Sequence, residues 1–168
     1  ASVLLVFFLA SCATTNLEVK KDQEEAIRNF GEAYIREGDY TKALGKLLEA
    51  EKLYAEDQHL QYDLGLVYMA KKRLDLAIHH FKKAVEINPD YTPAKNSLGA
   101  AYLAQKKWDD AIACFKEIAG DLLYATPHYP LSNMGWAYYN KKEFKLAEKY
   151  YQNALKIEPR FVIALQGL

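Results

Sequence analysis

Leu64-Gly65-Leu66-Val67-Tyr68, Leu98-Gly99-Ala100-Ala101-Tyr102 and Met134-Gly135-Trp136-Ala137-Tyr138 are three copies of one phrase: a large apolar residue, a glycine, two further residues and a tyrosine. Working outward, the glycine column extends back to Gly31. Gly31, Gly65, Gly99 and Gly135 are separated by 34, 34 and 36 residues. Tyr34, Tyr68, Tyr102 and Tyr138 keep the same three steps, as do Ala43, Ala77, Ala111 and Ala147. Three columns holding one step make an internal repeat. A unit of this size cannot bury its apolar face alone, so stacked copies are expected to share a continuous core.

Each column has a physical reason. The glycines and alanines fall where the two helices of a repeat cross, and a small side chain there lets the backbones approach. Large residues such as Tyr34, Phe81 and Trp108 are expected to fill the spaces beside them. Pro89 and Pro159 fall just past a helix end, where a residue without an N–H stops propagation. The second copy is the fullest, with Leu64-Gly65, Tyr68, Ala77, Phe81, Ala84 and Pro89. The third has Leu98-Gly99, Tyr102, Ala111 and Phe115; the fourth has Met134-Gly135, Tyr138, Ala147, Tyr151, Ala154 and Pro159. The first is weaker at its end, with Ala55 where proline is expected.

This pattern resembles the tetratricopeptide repeat (TPR) from about Glu24 to Leu168. The resemblance implies an all-α fold, a right-handed solenoid of antiparallel helix pairs with four repeats and the start of a fifth. The repeats would span residues 24–57, 58–91, 92–127 and 128–161, with residues 162–168 opening the next. The chain starts at Ala1 without a methionine and stops inside that last helix, so a longer reading frame with further helices and a polar cap is expected.

Composition narrows the function. Of the 168 residues, 22 are basic and 22 acidic, so the basic excess of a nucleic-acid binder is missing. Thirteen Tyr, seven Phe and two Trp beside few Gly and Pro mark a folded, helix-rich chain. Cys12 and Cys114 sit in unlike contexts and offer no disulfide framework. Catalytic cues are lacking: His79 and His80 are adjacent, without the i,i+4 spacing of a helical metal pair. His59 and His128 stand alone, and Cys114 reads as an inert thiol on an apolar helix face. The expectation is a binding protein, not an enzyme, with no cofactor, metal or small-molecule substrate.

The N-terminus reads differently. Val3-Leu4-Leu5-Val6-Phe7-Phe8-Leu9 is an apolar run of export-signal length, too short to span a bilayer. Leu9-Ala10-Ser11-Cys12 after it resembles the bacterial lipobox. That resemblance implies a signal over residues 1–11, lipidation of Cys12 and a tether over residues 12–23. Several acyl chains make such an anchor stable. Ala13 after the cysteine implies the outer membrane, on its periplasmic side.

Between Ile118 and His128 the period lengthens by two residues, and Leu122, Leu123 and Tyr124 are too apolar for a plain solvent loop. The type IV pilus lipoproteins called PilF or PilW carry a similar widened junction, with Asp-x-Leu-Tyr and then Pro, after a lipobox and a short tether. The chain thus resembles that pilotin family, which implies a protein partner, a pilus secretin, that it helps to localise and assemble. A general scaffold lipoprotein for other envelope complexes stays open. So does the recruiting arm of an enzyme whose catalytic domain lies elsewhere.

In a TPR solenoid the first helices of successive repeats line the concave face. Projected there, Tyr62, Leu66, Met69, Asn96, Leu103, Ser132, Trp136 and Tyr139 form an expected partner-binding groove. TPR co-chaperones hold a carboxylate with Lys, Asn and Arg on this face. Asp63, Pro93, Ser97 and Asn133 stand at comparable positions here, so that clamp is missing. Lys71-Lys72-Arg73, Lys106-Lys107 and Lys141-Lys142 recur at the turn inside each repeat. They would complement the helix dipole or meet an anionic surface.

Overall fold

The computed structural model describes residues 2–119 and 126–168, with side chains from Asn16 onward. Cys12, the residue expected to be lipidated, and the apolar part of the widened junction, Leu122 to Tyr124, lie outside the residues whose side chains are described. Among the described residues the order is α1 (Ser2–Glu37), α2 (Tyr40–Leu53), α3 (Gln58–Ala70), α4 (Leu74–Ile87), α5 (Thr92–Ala104), α6 (Trp108–Ala119), α7 (His128–Asn140), α8 (Phe144–Ile157) and α9 (Val162–Gly167). Every described element is helical, and helices pair antiparallel as α1/α2, α3/α4, α5/α6 and α7/α8.

The residues at the turns explain where each helix stops. Gly38, Lys72, Lys106 and Lys142 all have φ between 58° and 78°, the left-handed conformation that closes a helix C-terminus. Around each, two bonds recur. The N–H of Lys72 donates to the Met69 carbonyl at 2.9 Å and that of Arg73 to the Tyr68 carbonyl at 2.8 Å. Lys106 and Lys107 repeat this onto Leu103 and Tyr102, and Lys142 and Glu143 onto Tyr139 and Tyr138. The tyrosine column therefore supplies a capped carbonyl as well as a ring. Asp39 and Asp57 start α2 and α3 by accepting from the N–H of Lys42 and Leu60.

Inside each repeat the glycine admits a bulky partner sixteen places on. A Cβ at Gly65 would sit 2.4 Å from Phe81, one at Gly99 2.7 Å from Phe115 and one at Gly135 2.8 Å from Tyr151. Phe81, Phe115 and Tyr151 are buried. Of the expected space-fillers, Tyr34 and Trp108 are only half-buried. Two cores result. Ala43, Leu47, Ala50, Leu60, Leu64 and Val67 form one, and residues from Ala77 to Ala164 form the other. Tyr68 packs against both.

The solenoid has an inside. α1 touches α3, α3 touches α5, α5 touches α7 and α7 touches α9, whereas no two of α2, α4, α6 and α8 meet. First helices thus crowd together on the inner side while second helices fan apart on the outer.

The segment expected as a tether, residues 12–23, is helical and continuous with α1, and Asn16 to Gln23 are all exposed. No Gly or Pro interrupts them, so a helix nucleated by the packed half of α1 extends outward.

Candidate functional site

The inner face is built from one turn of each first helix. Arg28, Tyr62, Asn96 and Ser132 keep the period of 34, 34 and 36 and form a column across α1, α3, α5 and α7. Three of the four carry a buried polar atom with no hydrogen-bond partner: Arg28 Nε, Asn96 Oδ1 and Ser132 Oγ. Asp63 Oδ2, one residue past the column, is a fourth. Buried polar groups are nearly always paired in folded chains, so a file of unpaired ones is unusual. All four atoms lie beneath the surface, and Arg28 Nε faces Glu24 and Asp57 at ion-pair distance.

The structure distributes the eight expected groove residues unevenly. Trp136 and Tyr139 are 50% and 49% exposed and stack at 5.9 Å, with Phe144 edge-on to Tyr139 at 5.6 Å. Leu66, Met69 and Leu103 are half-buried and rest on the larger core. Tyr62 is also half-buried, tilted against Phe81 and edge-on to Tyr91. Asn96 is half-buried. Ser132 is a correction: it is 1% exposed and lines no open surface. Its side chain is too short to clear the neighbours that Tyr62 and Asn96 partly reach past, while Arg28 is held down by the carboxylates around it.

Sequence reasoning missed the charged end of the face. Arg28, itself buried, lies 3.7 Å from Glu24, 4.0 Å from Glu25 and 3.8 Å from Asp57, and also pairs with Glu32. Burial, then the charge of Asp57, pushes the Glu24 carboxyl up to about 7. Asp63 is likewise pushed up to about 7 by burial, then by Glu32. The signal that could have found this cluster is the acidic run of α1 read one repeat against Asp57 and Asp63.

The lysine edge has a partly structural role. Lys71 donates to Thr41 Oγ1 at 3.3 Å, Gln105 to Asp75 at 2.6 Å and Lys141 to Asp109 at 2.5 Å. Each bond runs from the end of one first helix back to the second helix of the preceding repeat. Lys141 also pairs with Glu143, and these bonds raise its pKa.

Other titratable groups turn inward. His80 Nδ1–H donates to Gln61 Oε1 at 2.7 Å, and Gln61 Nε2 donates to the Ala55 carbonyl at 2.9 Å. Burial pushes His80 down to about 4, so it is a neutral core residue while His79 beside it is exposed. Cys114 is half-buried, and burial pushes its thiol up to about 11.

The family model for the tetratricopeptide repeat matches residues 60–91 and 129–161. No curated protein sequence matches the chain significantly. Among solved structures, PilW, described as a widely conserved type IV pilus biogenesis factor, superposes with a TM-score of 0.78 at 25% identity. That match covers 86% of this chain and 66% of PilW, so the chain spans just under two thirds of that relative. PilF of Pseudomonas aeruginosa gives 0.74 at 19% identity over 88% of this chain and 74% of its own. YrrB, described as a TPR protein with an unusual peptide-binding site, gives 0.79 at 24% over 89% and 76%. With the glycine–aromatic crossings, the capped tyrosine column and the crowded inner helices already in place, the chain is a tetratricopeptide-repeat protein, a protein-interaction scaffold that resembles PilW and PilF.

Proposed function

We propose that the chain is a lipid-anchored periplasmic adaptor that holds a pilus secretin subunit along its inner face and helps it reach and assemble at the outer membrane. The observation that carries the binding half is the exposed Trp136–Tyr139–Phe144 stack at the α7 end of the inner face. It supplies aromatic anchors of the kind that dominate interface energetics. Likeness to PilW supports the choice of partner, and the lipobox resemblance around Cys12 supports the anchor.

The test is a pull-down of the secretin C-terminal region by the full chain and by Trp136→Ala and Tyr139→Ala variants, with circular dichroism as the folding control. Truncating a central aromatic anchor should weaken binding by about 2 kcal/mol, roughly thirtyfold. Well-folded variants that bind like the wild type would remove the groove from the reading. For the anchor, Cys12→Ser should shift the protein out of the outer-membrane fraction; equal amounts there would refute lipidation.

A further inference from the structure

The two ends of the inner face differ in chemistry. At α7 it is aromatic and uncharged. Between α1 and α3 it gathers Glu24, Glu25, Glu32, Asp57 and Asp63 around the single guanidinium of Arg28. Lys21, in the wall of the adjoining cavity, is a second cation, and the two are still outnumbered by the five carboxyl groups. Asp63 is 7% exposed, its Oδ2 has no partner, and the charges acting on it are those of Glu32, Arg28, Asp57 and Glu24. Glu24, still more deeply buried, has an oxygen with no hydrogen bond, 3.7 Å from Arg28 Nε. Beside it opens a cavity of about 300 Å³ lined by Lys21, Glu24, Glu25, Tyr54, Glu56 and Asp57.

Aromatic rings border the same region. Tyr62 and Tyr91 meet edge-on at 5.5 Å, and His59 shares a hydrogen bond with the Tyr91 hydroxyl at 3.2 Å. Carboxylates beside ring faces are the surroundings in which a cationic side chain is held best.

We infer that the acidic recess between α1 and α3 seats a lysine or arginine side chain of the protein that the groove holds, an inference that rests on the groove reading above. A flat guanidinium or a three-donor ammonium can serve several carboxylates spread over a recess. A bare metal ion needs them converged, and among the described residues no group of three or more His, Cys, Asp or Glu is so arranged. The polarity is the reverse of the carboxylate clamp that the sequence lacks. The partner segment is therefore basic at one end and apolar at the other, running from α3 towards α7.

Small mimics test this without the partner. The isotope-labelled full chain is titrated with n-butylguanidinium, n-butylammonium and, at matched ionic strength, magnesium chloride, while backbone amides are followed by NMR. The expected result is saturable shifts confined to residues 24–32 and 57–63 for the two organic cations, with dissociation constants on the order of 1–10 mM. Asp63→Asn and Glu24→Gln, tested separately, should each weaken them by about tenfold or more. Absence of saturable shifts there, unchanged affinity in folded variants, or equal shifts with magnesium would overturn the inference. Aromatic variants that fail in the pull-down leave this readout untouched, so the two ideas fail separately.

Discussion

Gly65 and Phe81 occupy what would be one space: a Cβ on Gly65 would fall 2.4 Å from the Phe81 ring. The same pair recurs as Gly99 with Phe115 and Gly135 with Tyr151, while at Gly31 the intruder is Leu47. Gly99→Ala should therefore cost about 1–3 kcal/mol by overpacking. Gly45, exposed in α2 with nothing within 4 Å of a Cβ, is the control. Gly45→Ala should raise stability by about 0.5–1 kcal/mol through helix propensity. Denaturant melts of both variants check the contrast; equal stability would mean the crossing is looser than described.

Lysines held at positive φ predict the opposite effect for glycine. Lys72, Lys106 and Lys142 occupy the conformation that Gly38 takes in the first repeat. A left-handed non-glycine residue costs roughly 1–2 kcal/mol, partly offset by the backbone entropy that glycine loses. Lys106→Gly should thus stabilise by about 0.5–1 kcal/mol, and Gly38→Ala should destabilise by about 1 kcal/mol. Thermal scans of the two, run together, decide the sign.

The acidic recess makes stability depend on pH. Glu24 and Asp63 have folded pKa values of about 7 against 4.5 and 3.8. The folded chain keeps two protons that the unfolded chain has released, so their stabilisation is full below about pH 4 and is lost as pH rises through about 7. His80, pushed down to about 4 from 6.5, acts in reverse: its contribution is present above 6.5 and fades as pH falls through 4. Two groups outweigh one, and the melting temperature should fall from about pH 4.5 to about pH 7, most steeply above about pH 6.5 where His80 no longer opposes. Glu24→Gln with Asp63→Asn should flatten that slope and raise the midpoint at the alkaline end by several degrees, at about 2–4 °C per kcal/mol.

Ser132 separates binding from folding. Its buried hydroxyl has no partner, so Ser132→Ala should leave stability unchanged or raise it by up to about 1 kcal/mol. Because Ser132 lines no open surface, the same variant should bind a partner with unchanged affinity. Calorimetric melts and partner titration on one preparation would show it. A variant that loses stability and keeps affinity would mean the hydroxyl is paired within the fold.

Much of the fold was legible because its constraints are periodic. A glycine that must admit Phe81, a tyrosine whose carbonyl is capped and a proline past a helix end recur at one step, and recurrence is visible in a string of letters. The exposed pair Trp136 and Tyr139 was legible for the same reason. Ser132 was not: the period places a column, but side-chain length and local partners decide whether a member clears its neighbours, and Arg28, the longest, is buried too. The Arg28 cluster was hidden because its carboxylates come from α1, from the loop before α3 and from α3, up to 39 residues apart between Glu24 and Asp63. Residues 12–23 lack an apolar period, yet helix extension needs only the absence of a breaker.

The division into two cores that share Tyr68 has a bearing on cooperativity. The smaller core, around Leu47 and Leu64, belongs to the first helix pair and to α3, and the recess of unmatched carboxylates lies against it. The first helix pair, which contributes nothing to the larger core, is the unit that can open while that core stays folded, in the manner of neighbouring units coupled one to the next. A cation seated in the recess would add its binding free energy to that smaller unit and damp its opening. Occupancy at one end of the groove would then stiffen the support for α3, and a partner that engages the aromatic end first would find its second foothold already drawn taut.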